Sequence, residues 1–229
     1  MPTGVLLSGG LDSAVLLAEE AADDDVQPIY ISVGFPWEPA ERDALRHFLT
    51  DGFHSARMRP LATLSVDMTD VHPAAHWTRR GDAPAYHTPD EDVYIPGRNI
   101  VLLAKAGIFC AMAGLDRLVI GSLDHNPFPD ATPEFRTTMG RALSLGLAHE
   151  LTIDAPYARV GKAEVIARGR ARGVRLELTL SCMNARSAGG AFPRHCGICS
   201  KCRERHDAFV EAGVPDLTDY ADRTFTGSV

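Results

Sequence analysis

Short apolar runs recur along the chain, separated by glycine-bearing turns and by longer stretches rich in Ala and Leu. Val5-Leu6-Leu7 runs into Ser8-Gly9-Gly10, and Ser13 to Ala22 then reads as a helix. Gln27 to Val33, with Ile29, Tyr30, Ile31 and Val33, predicts a second buried strand. A strand–helix–strand opening of this kind predicts a parallel sheet with right-handed crossovers, the α/β class. The alternation continues, with helix over Glu38–Leu49, an extended Leu61–Val66, a long apolar helix over Asn99–Met112 and a strand at Arg117–Ile120. Residues 133–147 and 161–172 read as helices, with Leu151–Ile153 as a strand between them. No internal repeat is visible. Two stretches resist this pattern. Residues 70–97 hold four prolines with His72, His76 and His87, the composition of a lid or binding loop. Ser181–Gly197 carries Ser187-Ala188-Gly189-Gly190, a core expected to be mobile unless substrate or metal orders it.

A chain of 229 residues with 45% apolar and 23% charged positions suits one α/β domain, or one domain and a small appendage, and excludes a disordered chain. The net charge of −7 argues against a general nucleic-acid binder, and no apolar run reaches the roughly 18 residues of a membrane helix. Met1-Pro2-Thr3 lacks the basic start of a signal peptide, so the expectation is a cytoplasmic protein. Charge is unevenly placed: residues 168–206 hold nine Arg/Lys against Glu177 and Glu204, which leaves −14 on the rest. That basic stretch points to a local anionic partner or to a solvated face.

Ser8-Gly9-Gly10-Leu11-Asp12-Ser13 lies where the first strand meets the first helix. There glycines admit an anion to the backbone, and the helix start offers N–H groups and a positive dipole end. Asp12 would repel phosphate, so its expected role is to orient the loop or help hold Mg²⁺. An ordinary turn with an Asp-Ser cap is the plain alternative. Four of the five cysteines are spaced Cys182-x13-Cys196-x2-Cys199-x2-Cys202, enough thiolates for a closed tetrahedral Zn²⁺ site, with an iron–sulfur cluster as the rival. Arg194, Lys201, Arg203 and Arg205 are expected to offset its charge.

Ser8–Ser13 resembles the SGGxDS signature of the PP-loop ATP pyrophosphatases, and it lacks the GxxxxGK[ST] of a Walker A loop. That resemblance implies a Rossmann-like PP-loop sheet gripping ATP's pyrophosphate, with adenine near Ser32 and Val33. Further motifs, in order, are Tyr94-Ile95-Pro96-Gly97-Arg98-Asn99, Phe128-Pro129-Asp130 with Glu134-Phe135, Gly161-Lys162-Ala163-Glu164 and Thr179-Leu180-Ser181-Cys182. With the cysteines they resemble the 7-cyano-7-deazaguanine synthase (QueC) family from about residue 4 to 216. The resemblance implies a PP-loop nucleotide-binding domain over 1–175 and a zinc-binding helical subdomain over 176–229. It implies conversion of a 7-carboxy-7-deazaguanine carboxylate to the nitrile with ammonia and ATP, through adenylate and amide intermediates. Asp12, Ser13, Arg98 and Lys162 are then expected to be catalytic, and Ser8, Gly9, Gly10, Leu11, Ser32, Val33 and Gly97 to help bind ATP. Arg98 suits a carboxylate or phosphate and Lys162 pyrophosphate, while Asn99, Phe128 and Asp130 are expected to recognise the base.

Val33-Gly34-Phe35-Pro36-Trp37-Glu38-Pro39 departs from that family's Tyr-Gly-Gln and basic stretch, keeping only Gly34. The Cys182–Cys196 loop is also longer than usual. These departures leave open another acceptor, in protein or tRNA modification, and a catalytically altered nucleotide sensor. Cys110 is the only cysteine left for thiolation chemistry. A homodimer, and a protein partner for a divergent member, also stay open.

Overall fold

The computed structural model describes residues 2–187 and 189–227. Five parallel strands form one sheet: β1 (Thr3–Leu6), β2 (Val26–Ser32), β3 (Ala62–Ser65), β4 (Arg117–Val119) and β5 (Thr152–Asp154), in the order β3-β2-β1-β4-β5. Helices α1 (Leu11–Asp23), α2 (Glu38–His47), the single turn α3 (Trp77–Arg80), α4 (Arg98–Ala113), α5 (Pro133–Leu147), α6 (Lys162–Ala171) and α7 (Ser200–Glu211) complete the chain. The order reverses between β1 and β4, and a doubly wound sheet binds ligands in the crevice that such a reversal opens at the strands' carboxyl ends. The Ser8–Ser13 loop leaves β1 at that end.

The central strands read as continuous apolar runs because both their faces are covered. Val5, Leu7, Tyr30 and Val119 point into one core with α1 and α6, while Leu6, Ile29, Ile31 and Leu118 point into another with α4. Ala208 and Phe209 of α7 belong to the first of these cores, so the cysteine-bearing segment is packed onto the sheet domain's own interior. Cys182, Cys199, Cys202 and Tyr220 form a third, smaller core against Ala40 and Ala44 of α2.

The boundaries differ from the apolar pattern in a few places. Helix α2 ends at His47 and passes into one π-helical turn, Phe48–Gly52. Strands β4 and β5 are three residues each, and the 70–97 segment contains α3 and a 3₁₀ turn at Asp90–Val93. Ala188 lies outside the described residues. Its flanks are tied to α2, by Ser187 Oγ to Asp43 Oδ2 and by His47 Nε2 to the Gly190 carbonyl at 2.8 Å. Among the described residues no helix is long and apolar enough to cross a membrane.

Candidate active site

The loop after β1 is shaped by its own hydroxyls. Ser13 Oγ donates to the Gly10 carbonyl at 3.0 Å and accepts from Ser8 N, while Ser8 Oγ accepts from Gly10 N at 3.2 Å. Gly9 adopts φ +81°, where an L side chain is strained, and a Cβ there would press on Leu45 Cγ at 3.1 Å. Gly10 caps α1 without any side-chain cap, so the first-turn N–H groups are the donors an anion meets. Across the strand reversal Gly121 comes so close that a Cβ would sit 3.3 Å from Ser13 N.

Three adjoining cavities of about 200, 240 and 190 Å³ open around this loop. None alone reaches the ~300 Å³ of a small-molecule pocket, so the site is their union. The first lies over β1 and β2 and is walled by Ile29, Tyr30, Ile31 and Leu102. The second holds Asp12, Lys162, Lys201 and Glu204. The third holds Tyr94, Phe128, Asp130 and Met183. Arg98, the first residue of α4, lines all three. Its Nε is buried without a hydrogen-bond partner, the state expected of a cation whose ligand is an anion from outside the chain.

Lys162 starts α6 and is nearly buried, its Nζ 3.2 Å from Asp12 Oδ2 and 2.6 Å from Glu204 Oε1. Glu204 in turn holds Lys201 Nζ at 2.6 Å. Burial disfavours the Glu204 carboxylate, but the two lysines outweigh it and hold the group down at about 2. Burial raises Asp12, opposed by Lys162, and its Oδ1 has no partner. The structure thus places Lys162 at the floor of the second cavity, bridged between two carboxylates.

Asp130 caps α4, whose own N-cap Gly97 has no side chain to do so. Its Oδ2 accepts from Asn99 N at 3.1 Å, and Asn99 Nδ2 donates to Oδ1 at 3.3 Å. A carboxylate has about four acceptor positions, so Asp130 keeps capacity for a ligand while fixing Asn99. Phe128 stacks on Tyr94 with ring centroids 5.0 Å apart, which makes an aromatic wall for the third cavity.

Ser32 and Val33, expected beside adenine, are instead engaged by buried Glu38. Its carboxylate accepts from Ser32 Oγ at 2.5 Å, Val33 N at 2.7 Å and Gly34 N at 3.2 Å. Neither residue lines the three cavities, and the apolar wall there is Ile29 to Ile31. The divergent Phe35-Pro36-Trp37 segment packs into the 70–97 stretch: Trp37 stacks on Trp77 at 5.5 Å, and Phe35 meets His72 at 6.1 Å. Trp37 also reaches the second cavity.

The four sulfurs of Cys182, Cys196, Cys199 and Cys202 lie within 4.8 Å of one another. Sulfur pairs at 3.5, 3.9 and 4.0 Å match the edge of about 3.8 Å that a ZnS₄ tetrahedron with 2.3 Å bonds requires. Of the four cations expected to offset their charge, Arg205 acts on Cys202 through space, and all four are held by other groups. Arg194 pairs with Asp219, Lys201 with Glu204, and Arg203 donates to Tyr86 O, Thr88 O and Asp90. Arg205 is fully buried and donates to Thr218, Thr179, Ser181 and the Leu176 carbonyl. The thiolates are met by backbone N–H groups instead: Cys196 N to Cys182 Sγ, Gly197 N to Cys202 Sγ and Ile198 N to Cys196 Sγ, at 3.3 to 3.4 Å. A tight knuckle thus aims its own amides at the sulfurs. The same knuckle fastens the 70–97 stretch, through a bridge of Cys199 to Ala85 and through Ser200 N to the Pro84 carbonyl at 3.0 Å.

Glu41 and Glu204 are site residues that the motifs do not single out, while Tyr94 and Lys201 fall within motifs that give them no role in this site. Glu41, on α2, lines the first and second cavities and bonds Tyr30 Oη at 3.2 Å. Burial, offset in part by Arg98, pushes its carboxyl up to about 7. Cys110 is fully buried behind the sheet, where burial pushes its thiol up to about 12. It has neither the access nor the acidity of a reactive cysteine.

A family model described as queuosine biosynthesis protein QueC matches residues 3–213. A 7-cyano-7-deazaguanine synthase of Azoarcus sp. (strain BH72) is 33% identical, with 96% of each chain covered. Proteins of the same name from Nitrosospira multiformis and Aromatoleum aromaticum are 32% and 34% identical, over 94% of this chain and 94% and 96% of theirs. The match thus takes in the Ser8–Ser13 loop, the Arg98 helix and all four cysteines, and the chain belongs to the QueC family.

Proposed function

We propose that this chain is an ATP-dependent carbon–nitrogen ligase that converts the carboxylate of 7-carboxy-7-deazaguanine to the nitrile with ammonia, through adenylate and amide intermediates. The observation that carries the reading is Arg98, whose partnerless Nε stands where the three cavities meet. An anion from each side, phosphate and acceptor carboxylate, would converge there. The names of the relatives support the same reaction.

In this reading the apolar wall at Ile29–Ile31 takes adenine, and the Ser8–Ser13 amides take the phosphates. Ser8 and Ser13 hold the loop in the shape that presents those amides. Lys162 supplies positive charge to the leaving pyrophosphate, and such preorganised charge is where most of the rate in this class of transfer arises. The aromatic wall of Phe128 and Tyr94 receives the flat base, with Asn99 and Asp130 at its polar edge. The acceptor oxygen attacks the α-phosphorus, and the bond to pyrophosphate breaks. Asp12 Oδ1, buried and without a partner, suits a Mg²⁺ ion accompanying ATP. Zn²⁺ on the four cysteines would supply folding energy and no open coordination position.

A heavy-oxygen-labelled acceptor carboxylate tests the first step. The label is expected in AMP. Label in inorganic phosphate, with ADP as the nucleotide product, would contradict adenylation.

A further inference from the structure

Two cations line the third cavity beside a single carboxylate. Its ionisable lining includes Arg98, Lys201 and Asp130, and the Asp130 carboxylate caps α4 through Asn99 with acceptor capacity left over. Among the described residues, Arg98 and Lys201 are also the only lysine or arginine residues lining both the second and third cavities. Lys201 therefore stands at the seam between the phosphate region and the acceptor region, delivered there by the Cys199-x-x-Cys202 step of the metal knuckle. Its position is set by structure on two sides. The knuckle fixes the backbone, and Glu204 Oε2 accepts from Nζ at 2.6 Å. An ammonium has three donors, so two remain for a ligand.

From this placement, and resting on the reaction proposed above, we infer that Lys201 is the residue that selects the acceptor by its charge. Nζ donates to the acceptor carboxylate oxygen that does not attack, while the other oxygen attacks the α-phosphorus and the electron pair of the broken bond leaves on pyrophosphate. Arg98 spans the same seam and faces the phosphate side as well. Once the carboxylate has become an amide or a nitrile, it no longer carries charge, and Lys201 loses its anionic partner. The device binds the acid and releases the neutral product. It also gives the metal knuckle a purpose beyond stability, since the knuckle places this cation.

The test is calorimetric binding of 7-carboxy-7-deazaguanine and of the 7-cyano base to zinc-loaded protein. The expected result for the unmodified chain is a preference for the acid of about tenfold or more, the scale of one charge-assisted hydrogen bond. With Arg98 still facing the acceptor, Lys201→Met should cut the preference about threefold or more by weakening the acid alone, and Lys201→Arg should keep most of the preference. Zinc content should stay unchanged in both variants, any change in ATP affinity should be smaller than the change in acid affinity, and Lys201→Gln serves if the Met variant fails to fold. An undiminished preference for the acid in folded Lys201→Met or Lys201→Gln overturns the inference while leaving the reaction standing. Failure of the unmodified chain to bind either base, with ATP binding intact, overturns both.

Discussion

Lys162→Met removes the cation shared by two carboxylates, and the geometry sets both the size and the pH dependence of the damage. The lysine side chain is 12% exposed and sits 3.2 Å from Asp12 and 2.6 Å from Glu204. Breaking a buried ion pair by removing one partner costs about 3–5 kcal/mol. The low end applies here, because Asp12 keeps 24% of its side-chain exposure and Glu204 keeps Lys201 at 2.6 Å. A loss of about 3 kcal/mol at pH 8 is expected by urea unfolding, measured against the unmodified chain with zinc bound. The sign with pH follows from Asp12. Burial already raises its folded-state pKa against the opposition of Lys162, so losing the lysine raises it further. A carboxyl with a raised folded-state pKa contributes stability below its unfolded pKa and loses it as pH rises through the folded one. The deficit should therefore be smaller at pH 5 than at pH 8, in the direction that proton uptake by Asp12 sets. Adding Asp12→Asn should recover much of the loss at pH 8. A deficit that is the same at both pH values, or one below about 1 kcal/mol at pH 8, would refute the reasoning.

Three further outcomes follow from other parts of the structure. Arg205→Met strips donors from Thr218, Thr179, Ser181 and the Leu176 carbonyl, and should cost about 3 kcal/mol or more in urea unfolding. The purified protein should carry about one zinc per chain, and a strong chelator should lower the melting temperature and increase proteolysis around Pro84–Thr88, the stretch tied to Cys199, Ser200 and Arg203. Glu41, raised by burial to about 7, loses stability as pH climbs through that value, so Glu41→Gln should raise the melting temperature at pH 8 and change it little at pH 5.

The fold is legible in the sequence because parallel strands covered on both faces leave continuous apolar runs, and Val5–Leu7 and Gln27–Val33 are such runs. The loop at Ser8–Ser13 and the cysteine knuckle are legible because their parts are near in sequence and chemically distinctive. Residues whose roles depend on distant partners are not. Glu38 and Glu41 look like the solvated face of α2, and only packing against β2 buries Glu38 under the Ser32–Gly34 backbone and turns Glu41 to Tyr30. Arg205 lies among cysteines and reads as their counter-ion, whereas its guanidinium reaches back to Leu176 and Thr179. Phe128 stands out in a motif, but its stacking partner Tyr94 comes from a segment with no periodic pattern. Ser32 and Val33 follow from the family pattern, and the divergent Phe35–Pro39 stretch brings in Glu38, which occupies them.

The central claim is tested most directly by incubating the zinc-loaded protein with ATP, ammonia and 7-carboxy-7-deazaguanine and reading the mass of the base. Conversion to the 7-cyano base, with the amide visible at early times and turnover lost in Arg98→Ala, is the expected result. Recovery of the unchanged carboxylate from active, ATP-binding protein would contradict the account.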